Sequence, residues 1–399
     1  RYNTDEVMKV LQINTTYNIG STGRIVAGID DILVNSGIES YVAYGYGNLQ
    51  DDRHYKIINQ LDSYCHNIMS RLTDGQGLYS TLKTKKLINW IETINPDIIH
   101  LHNLHGNYLN YKILFNYIKT KSFKVVWTFH DCWPFTGHCA YFDMADCGKW
   151  KNGCHKCTQT KCYPPAIHDN SSRNYKLKKD LFTALGDRLI LVPVSNWLAK
   201  LIKESYLKEC HIFVVHNGID LKNFYWKKYI TTKPYVLGVA SPWDTRKGLK
   251  DFYKFRKILS REIDIVLVGL TTKQIKELPE GIQGITRTES VADLARVYSG
   301  ALAFINTTYE DNYPTVNLES IACGTPVITY QTGGSPEAVS EQCGIVVPKG
   351  DVLGLKNAVD YIYEHQDLYS RKNLMAFANL HFNQTECFKS YLNLYKSAF

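Results

Sequence analysis

Short runs rich in Val, Ile and Leu alternate with amphipathic stretches along nearly the whole chain, and this alternation constrains the fold more than any other feature of the sequence. The runs include VLQIN (10–14), DIIHLHN (97–103), KVVWTFH (124–130), RLILVPVS (188–195), IFVVHNG (212–218), YVLGVAS (235–241), DIVLVG (264–269), ALAFINT (301–307) and TPVITY (325–330). Several are almost continuously apolar, as expected for strands covered on both faces. Helical patterns lie between them at 24–35, 80–94, 108–120, 196–206, 247–259, 314–323 and 351–365. A βαβα order of this kind builds parallel sheets with helices on both sides. The chain has 399 residues, more than one hydrophobic core normally fills, so the expected class is α/β with two doubly wound parallel-sheet domains facing a cleft. The pattern breaks at LKNFYWKKYITTKP. Residues 1–218 are therefore expected to form the first domain, 219–233 a linker, 234–382 the second domain, and 383–399 a terminal helix packing back toward the first. Residues 1–7 precede the first strand-like run and read as tag remnant or upstream sequence, with Met8 the expected natural start.

Hydrophobic residues make up 44% of the chain and charged residues 21%, a globular composition. No stretch approaches the ~18 consecutive apolar residues of a membrane span, and the N-terminal stretch lacks the basic, apolar and small-residue order of a secretory signal. Membrane spanning and export are not expected. The 46 Lys and Arg exceed the 38 Asp and Glu, a net charge of +8, of which residues 1–218 hold +6. A solvated surface accounts for such a surplus, but its concentration in one half also suits a phosphorylated substrate or an anionic membrane face.

In doubly wound sheets ligands bind beyond the carboxyl ends of the strands, so the residues just after strands carry the most information. After ALAFINT comes YEDNYPTVNLESIACGTPVITY. Pro314 fits the first turn of a helix over Thr315 to Ile321, with Asn312 or Tyr313 near the cap and free backbone N–H groups at an end that attracts phosphate. Asp311 and Glu319, eight residues apart, are both able to bind sugar hydroxyls. Gly324 closes the helix and Pro326 starts the next strand. Taken alone, the segment reads equally well as a capped amphipathic helix with Asp311 or Glu310 favouring its positive end. SPWDTRKGL (241–249) follows another strand, and there Arg246 and Lys247 precede a helix opened by Gly248. Two cations at that point suit a diphosphate, Arg as a fork and Lys as a point charge. A solvent-exposed pair is the plainer reading of any single Arg-Lys, and the two segments together weigh against it.

With these segments the chain resembles the family 4 retaining glycosyltransferases, which have the GT-B fold of two Rossmann-like domains. The resemblance runs from Met8 to the C-terminal helix and is most specific in Asp311-x7-Glu319 followed by ACGTPVI and TGGSPE (332–337). It implies that Glu319 holds the nucleotide ribose, that Asp311 contacts the donor sugar, and that Thr315, Val316 and Asn317 lie along the donor. The family has Glu at the first carboxylate position. Here Asp311 stands there, with Glu310 beside it as the alternative. In the family's Gly-Arg-x4-Lys-Gly signature, Ser241 and Pro242 occupy the first two positions, Lys247 is retained, and Arg246 is the candidate replacement for the missing Arg. The implied reaction moves a hexose from a UDP- or GDP-sugar to a hydroxyl of a saccharide or lipid-linked saccharide, with retention, in polysaccharide or glycolipid biosynthesis. The implied setting is the cytoplasm, at the inner face of the plasma membrane, where Lys83, Lys85, Lys86 and the 173–179 run allow peripheral contact. No Asp-x-Asp motif is present, so no catalytic metal is expected. A nucleotide-sugar epimerase of the same architecture is the competing reading. A zinc-containing nucleic-acid-binding protein ranks lower because the basic residues are dispersed, and nucleic acid is not an expected partner.

In the first half, NTTYNIGSTGR places Gly20 and Gly23 in a turn before a helix expected to begin near Arg24. An ordinary strand–helix turn explains it, while the resemblance makes Gly23 a phosphate contact. KVVWTFHDCWPF puts His130 and Asp131 directly after a strand, where the family carries a histidine near the donor sugar. His130 is thus a candidate for binding a hexose hydroxyl, with a satisfied structural histidine as the alternative. His100, His102 and His105, without an evident partner carboxylate, read as cleft lining or acceptor contacts. Six of the 11 cysteines fall between Cys132 and Cys162. Cys139, Cys147, Cys154 and Cys157, spaced x7, x6 and x2, are candidates to wrap one structural Zn²⁺ within this insertion (132–162), with His138, His155, Cys132 and Cys162 as substitutes. Free thiols are an equal alternative.

Overall fold

A computed structural model describes residues 7–397, so most of the stretch read as upstream sequence lies outside the described residues. The chain divides into two compact units, one comprising the residues up to His216 together with those from Phe388 on, the other Asn217–Cys387. Among the described residues no helix is long and apolar enough to cross a membrane.

The first unit holds seven strands, β1 Lys9–Thr16, β2 Glu39–Tyr46, β3 His54–Lys56, β4 Ile98–Leu101, β5 Lys124–Phe129, β6 Leu189–Pro193 and β7 His211–Ile212. They pair in parallel in the order β3-β2-β1-β4-β5-β6-β7. The run IFVVHNG contributes only its first residue to β7, with His211 before it. The helix expected from Arg24 starts earlier, at Gly20, so Gly20 and Gly23 belong to its first turns. Gly23 packs there against the end of β1, where a Cβ would lie 2.8 Å from Thr16 Oγ1. Close helix–strand approach by itself requires this glycine.

The three central strands have two unlike faces, a direct consequence of the two-residue side-chain period. Leu11 and Ile13 of β1, Ile99 and Leu101 of β4, and Val125, Trp127 and Phe129 of β5 join one large apolar core. The alternate positions carry Gln12, Asn14, His100 and Thr128, continued by His102 and His130 just beyond the strands, and all six are buried. The 132–162 insertion forms three short 3-10 turns, Trp133–Phe135, Asp143–Ala145 and Lys149–Lys151, separated by irregular loops. It is anchored by Phe135, Phe142 and Trp150, whose ring centroids lie 4.9–6.4 Å apart.

The second unit holds β8 Tyr235–Val239, β9 Asp264–Val268, β10 Ile282–Ile285, β11 Ala303–Asn306, β12 Val327–Tyr330 and β13 Gly344–Val347. These pair in parallel in the order β10-β9-β8-β11-β12-β13. In both sheets the order reverses between the first strand and the fourth, so each is doubly wound and leaves a crevice at that switch point.

Candidate active site

The loops leaving β8 and β11 flank the switch point of the second sheet. After β8 the chain forms a 3-10 turn, Thr245–Lys247, whose cap is the Asp244 carboxylate accepting the Lys247 N–H. Gly248 adopts φ +73°, and a Cβ there would lie 2.3 Å from the Thr307 carbonyl oxygen. Glycine is what lets the helix Leu249–Ile258 begin so close to the β11 loop. Thr307 Oγ1 donates to the Lys247 carbonyl at 2.9 Å, and the Tyr309 N–H donates to the Arg246 carbonyl at 2.7 Å. Tyr309 Oη donates to the buried Asp251 carboxylate at 2.6 Å, tying the β11 loop to the helix that follows β8.

On this frame Lys247 Nζ meets Asp311 Oδ2 at 2.6 Å, both side chains 16% exposed. Arg246 Nη1 donates to the Glu310 carbonyl at 3.0 Å. Burial alone would raise the Asp311 carboxyl, but the Lys247 ammonium and then the Arg246 guanidinium outweigh it and hold the group below the ordinary carboxylate range. Of the adjacent acidic pair, Asp311 is the one joined to the lysine.

The helix Thr315–Ala322 follows. Its cap position is Pro314 rather than Asn312 or Tyr313, because proline's fixed φ preorganises the first turn. No side chain caps it, which leaves the first-turn N–H groups of half-buried Thr315 and Val316 directed outward from the helix end. Asn317 is fully buried. Its Oδ1 accepts from Asn306 Nδ2 at 2.9 Å, while its Nδ2 has no hydrogen-bond partner. Thr332 Oγ1 and Ser335 Oγ, in the TGGSPE segment, are likewise buried without a partner. Glu319, 4% exposed, accepts from Tyr298 Oη at 3.1 Å. The second unit therefore gathers two cations, a carboxylate and an uncapped helix end beside its crevice, the electrostatic equipment for an anionic ligand with hydroxyls.

In the first unit the histidines are bonded to one another and to neighbouring side chains. His100 and His102 are fully buried, and His105 has a carboxylate partner, its Nε2 lying 2.8 Å from Asp131 Oδ2. That partner comes from the next strand's loop, which spacing along the chain does not reveal. His100 lies between Thr128 Oγ1 (2.8 Å from Nε2) and Tyr395 Oη (2.6 Å from Nδ1). His130, 9% exposed, meets His102 edge to edge, Nε2 to Nδ1 at 3.2 Å. Burial, reinforced by His130, pushes His100 down to about 3, and burial pushes His130 down to about 4 against the partial support of Asp131. Both are neutral imidazoles at pH 7.

None of the 11 cysteines is joined in a disulfide. Among the described residues no group of three or more His, Cys, Asp or Glu side chains is gathered so that it could hold a metal ion, Cys139, Cys147, Cys154 and Cys157 included. Burial, then the Cys157, Cys154 and Cys147 thiols, raise the Cys139 thiol, and Cys154 Sγ accepts the Gly137 N–H at 3.2 Å.

Comparison with known proteins agrees with this architecture. A family model for glycosyl transferases group 1 matches residues 233–365, and one for Glycosyltransferase Family 4 matches residues 33–223. The chain is 26% identical over 377 residues, 87% of its length and 89% of the relative's, to a protein of Escherichia coli (strain K12) named as a colanic acid biosynthesis glycosyl transferase, WcaC. It is 27% identical over 232 residues, 52% of its length and 60% of the relative's, to the N,N'-diacetylbacillosaminyl-diphospho-undecaprenol alpha-1,3-N-acetylgalactosaminyltransferase of Campylobacter jejuni subsp. jejuni serotype O:2. Among solved structures, sucrose-phosphate synthase (tll1590) from Thermosynechococcus elongatus superposes with a TM-score of 0.72 at 17% identity, covering 98% of each chain. The two parallel-sheet units are thus those of GT-B structures, and the chain belongs to the family 4 glycosyltransferases.

Proposed function

We propose that this glycosyltransferase moves a hexose from a UDP- or GDP-sugar to a hydroxyl of a saccharide or lipid-linked saccharide, with retention of anomeric configuration, in polysaccharide or glycolipid biosynthesis. The observation that carries the reading is the Lys247–Asp311 pair, with Arg246, beside the uncapped helix Thr315–Ala322 at a switch point. Breaking the bond from the anomeric carbon to the phosphate oxygen leaves negative charge on the departing diphosphate and oxocarbenium character on the sugar. Arg246, Lys247 and the helix N–H groups stabilise that charge as preorganised dipoles and cations, and catalysis needs no metal. Glu319 holds the ribose, Asp311 the sugar, and Thr315, Val316 and Asn317 lie along the donor. Gly23 approaches phosphate and His130 binds a hexose hydroxyl. The acceptor oxygen attacks from the face of the leaving group, and its proton passes to the departing phosphate oxygen.

The relative named for an undecaprenol-linked acceptor, and the +6 charge of residues 1–218, support a lipid-linked acceptor met by peripheral contact at the inner face of the plasma membrane, with the enzyme cytoplasmic. Cys139, Cys147, Cys154 and Cys157 are proposed to hold one structural Zn²⁺.

Donors are to be screened by thermal shift and acceptors by product mass. Lys247→Ala and Glu319→Ala are each expected to lower transfer at least tenfold, equivalent to ~1.4 kcal/mol in barrier. Wild-type rates in both variants, with folding intact, would overturn the site. An epimerase of the same fold would release no nucleoside diphosphate on adding acceptor, so following that release separates the two reactions.

A further inference from the structure

Three neighbouring strands of the first sheet carry a line of hydrogen bonds that ends on His130. Gln12, in β1, donates from Nε2 to the Val26 carbonyl at 3.2 Å. A carbonyl only accepts, so the amide orientation is settled, and Gln12 Oε1 is the atom facing His102 Nε2 at 3.2 Å. His102 must therefore carry its proton on Nε2. It is fully buried, and burial, with His100 and His130 nearby, holds it far below the ordinary imidazole range, so its Nδ1 is a bare lone pair. That lone pair lies 3.2 Å from His130 Nε2, and the two ring planes are within 16° of parallel with centroids 5.5 Å apart. The neighbouring Asp131 is engaged by other groups, with Oδ2 at 2.8 Å from His105 Nε2 and Oδ1 accepting the Trp133 N–H at 2.9 Å.

We propose that Gln12 and His102 are positioning residues that hold His130 as its Nε2–H tautomer and fix the orientation of its ring. The proposal rests on the reading of His130 as a donor-sugar contact. Its logic is that of the buried group behind a catalytic imidazole, which acts by choosing the tautomer and orientation rather than by touching substrate.

The test combines ring-nitrogen NMR of ¹⁵N-histidine-labelled full-length protein with steady-state transfer kinetics. In the wild type, His130 is expected to show a protonated Nε2 and an unprotonated Nδ1 throughout pH 6–8, with the signals assigned by loss in His130→Ala. A wild-type His130 protonated on Nδ1 would overturn the proposal, whatever the activity. His102→Leu removes the lone pair and is expected to lower kcat at least tenfold with the donor KM changed less than twofold. His102→Gln, which can both accept from His130 and donate to Gln12, is expected to restore most of that loss. Equal losses in the Leu and Gln variants, or wild-type kcat in His102→Leu, would rule out tautomer control. If His130→Ala transfers at the wild-type rate, the sugar-contact reading fails, and the NMR result alone still decides the hydrogen-bond order.

Discussion

Lys178 shows how far a single side chain can be drawn from its solution behaviour. It is 1% exposed, its Nζ donates to the Trp133 and Thr136 carbonyls at 2.7 and 3.1 Å, and it sits 3.3 Å from the Trp133 ring centroid. Burial, only partly opposed by Asp74, Cys154, Asp131 and Cys139, pushes its ammonium from 10.5 down to about 7. Between those values the unfolded chain binds the extra proton and the folded chain does not, so this residue makes stability rise with pH, by at most ~1.4 kcal/mol per unit. In Lys178→Met that contribution is absent. The stability of the wild type relative to the variant, measured by urea unfolding, is expected to grow by roughly 2 kcal/mol from pH 7 to 9. A difference that stays flat would mean that the folded protein keeps this lysine charged across the range.

At the level of elements, the succession of strands and helices along the chain was legible because it rests on local signals. Alternating apolar runs mark β1, β4, β5, β8, β9, β11 and β12, and Pro314 with Gly324 brackets the helix Thr315–Ala322. Pairing across the sequence was not legible. Lys247 and Asp311 each stood out, yet their ion pair spans 64 positions and depends on β8 and β11 being neighbours. The buried polar face is a similar case. Gln12, His100, Thr128 and His130 occupy alternate positions, a signal present in each run, but its meaning appears only when β1, β4 and β5 lie side by side. The same limit applies to the 132–162 insertion, where cysteine spacing pointed to a metal while the aromatic anchor of Phe135, Phe142 and Trp150 went unread. Elemental analysis tests whether the proposed metal joins the aromatic cluster in holding this insertion. Tag-free protein is expected to contain one zinc per chain, lost in Cys154→Ser with Cys157→Ser, and zinc-free folded protein would leave the aromatic cluster as the insertion's anchor.

Over the whole molecule, acid acts unevenly on the two units. His66, His100, His102 and His130 all belong to the first unit, and burial holds each below 6.5, His66 and His130 at about 4 and His100 at about 3. For a depressed histidine the unfolded chain takes up a proton near 6.5 and the folded chain does not until the lower value, so the stabilising effect is complete above 6.5 and drains away as pH falls through that interval. Each such histidine costs up to ~1.4 kcal/mol per pH unit. His54, raised by Asp30 and Asp51 against its own burial, takes up its proton above 6.5 in the folded chain, so its stabilising effect is already complete at 6.5 and stays constant below it. In the second unit the depressed carboxyl of Asp311 keeps its stabilising effect above the ordinary carboxylate value of 3.8 and loses it only as pH falls below that value. Between pH 6.5 and 4.5 the first unit is therefore expected to loosen while the second keeps its structure. Hydrogen exchange read peptide by peptide is the measurement. Protection at β1, β4 and β5 should fall steeply over that interval, and protection at β8, β11 and β12 should change little. Parallel loss in both sheets would show that the buried histidines do not govern the acid response.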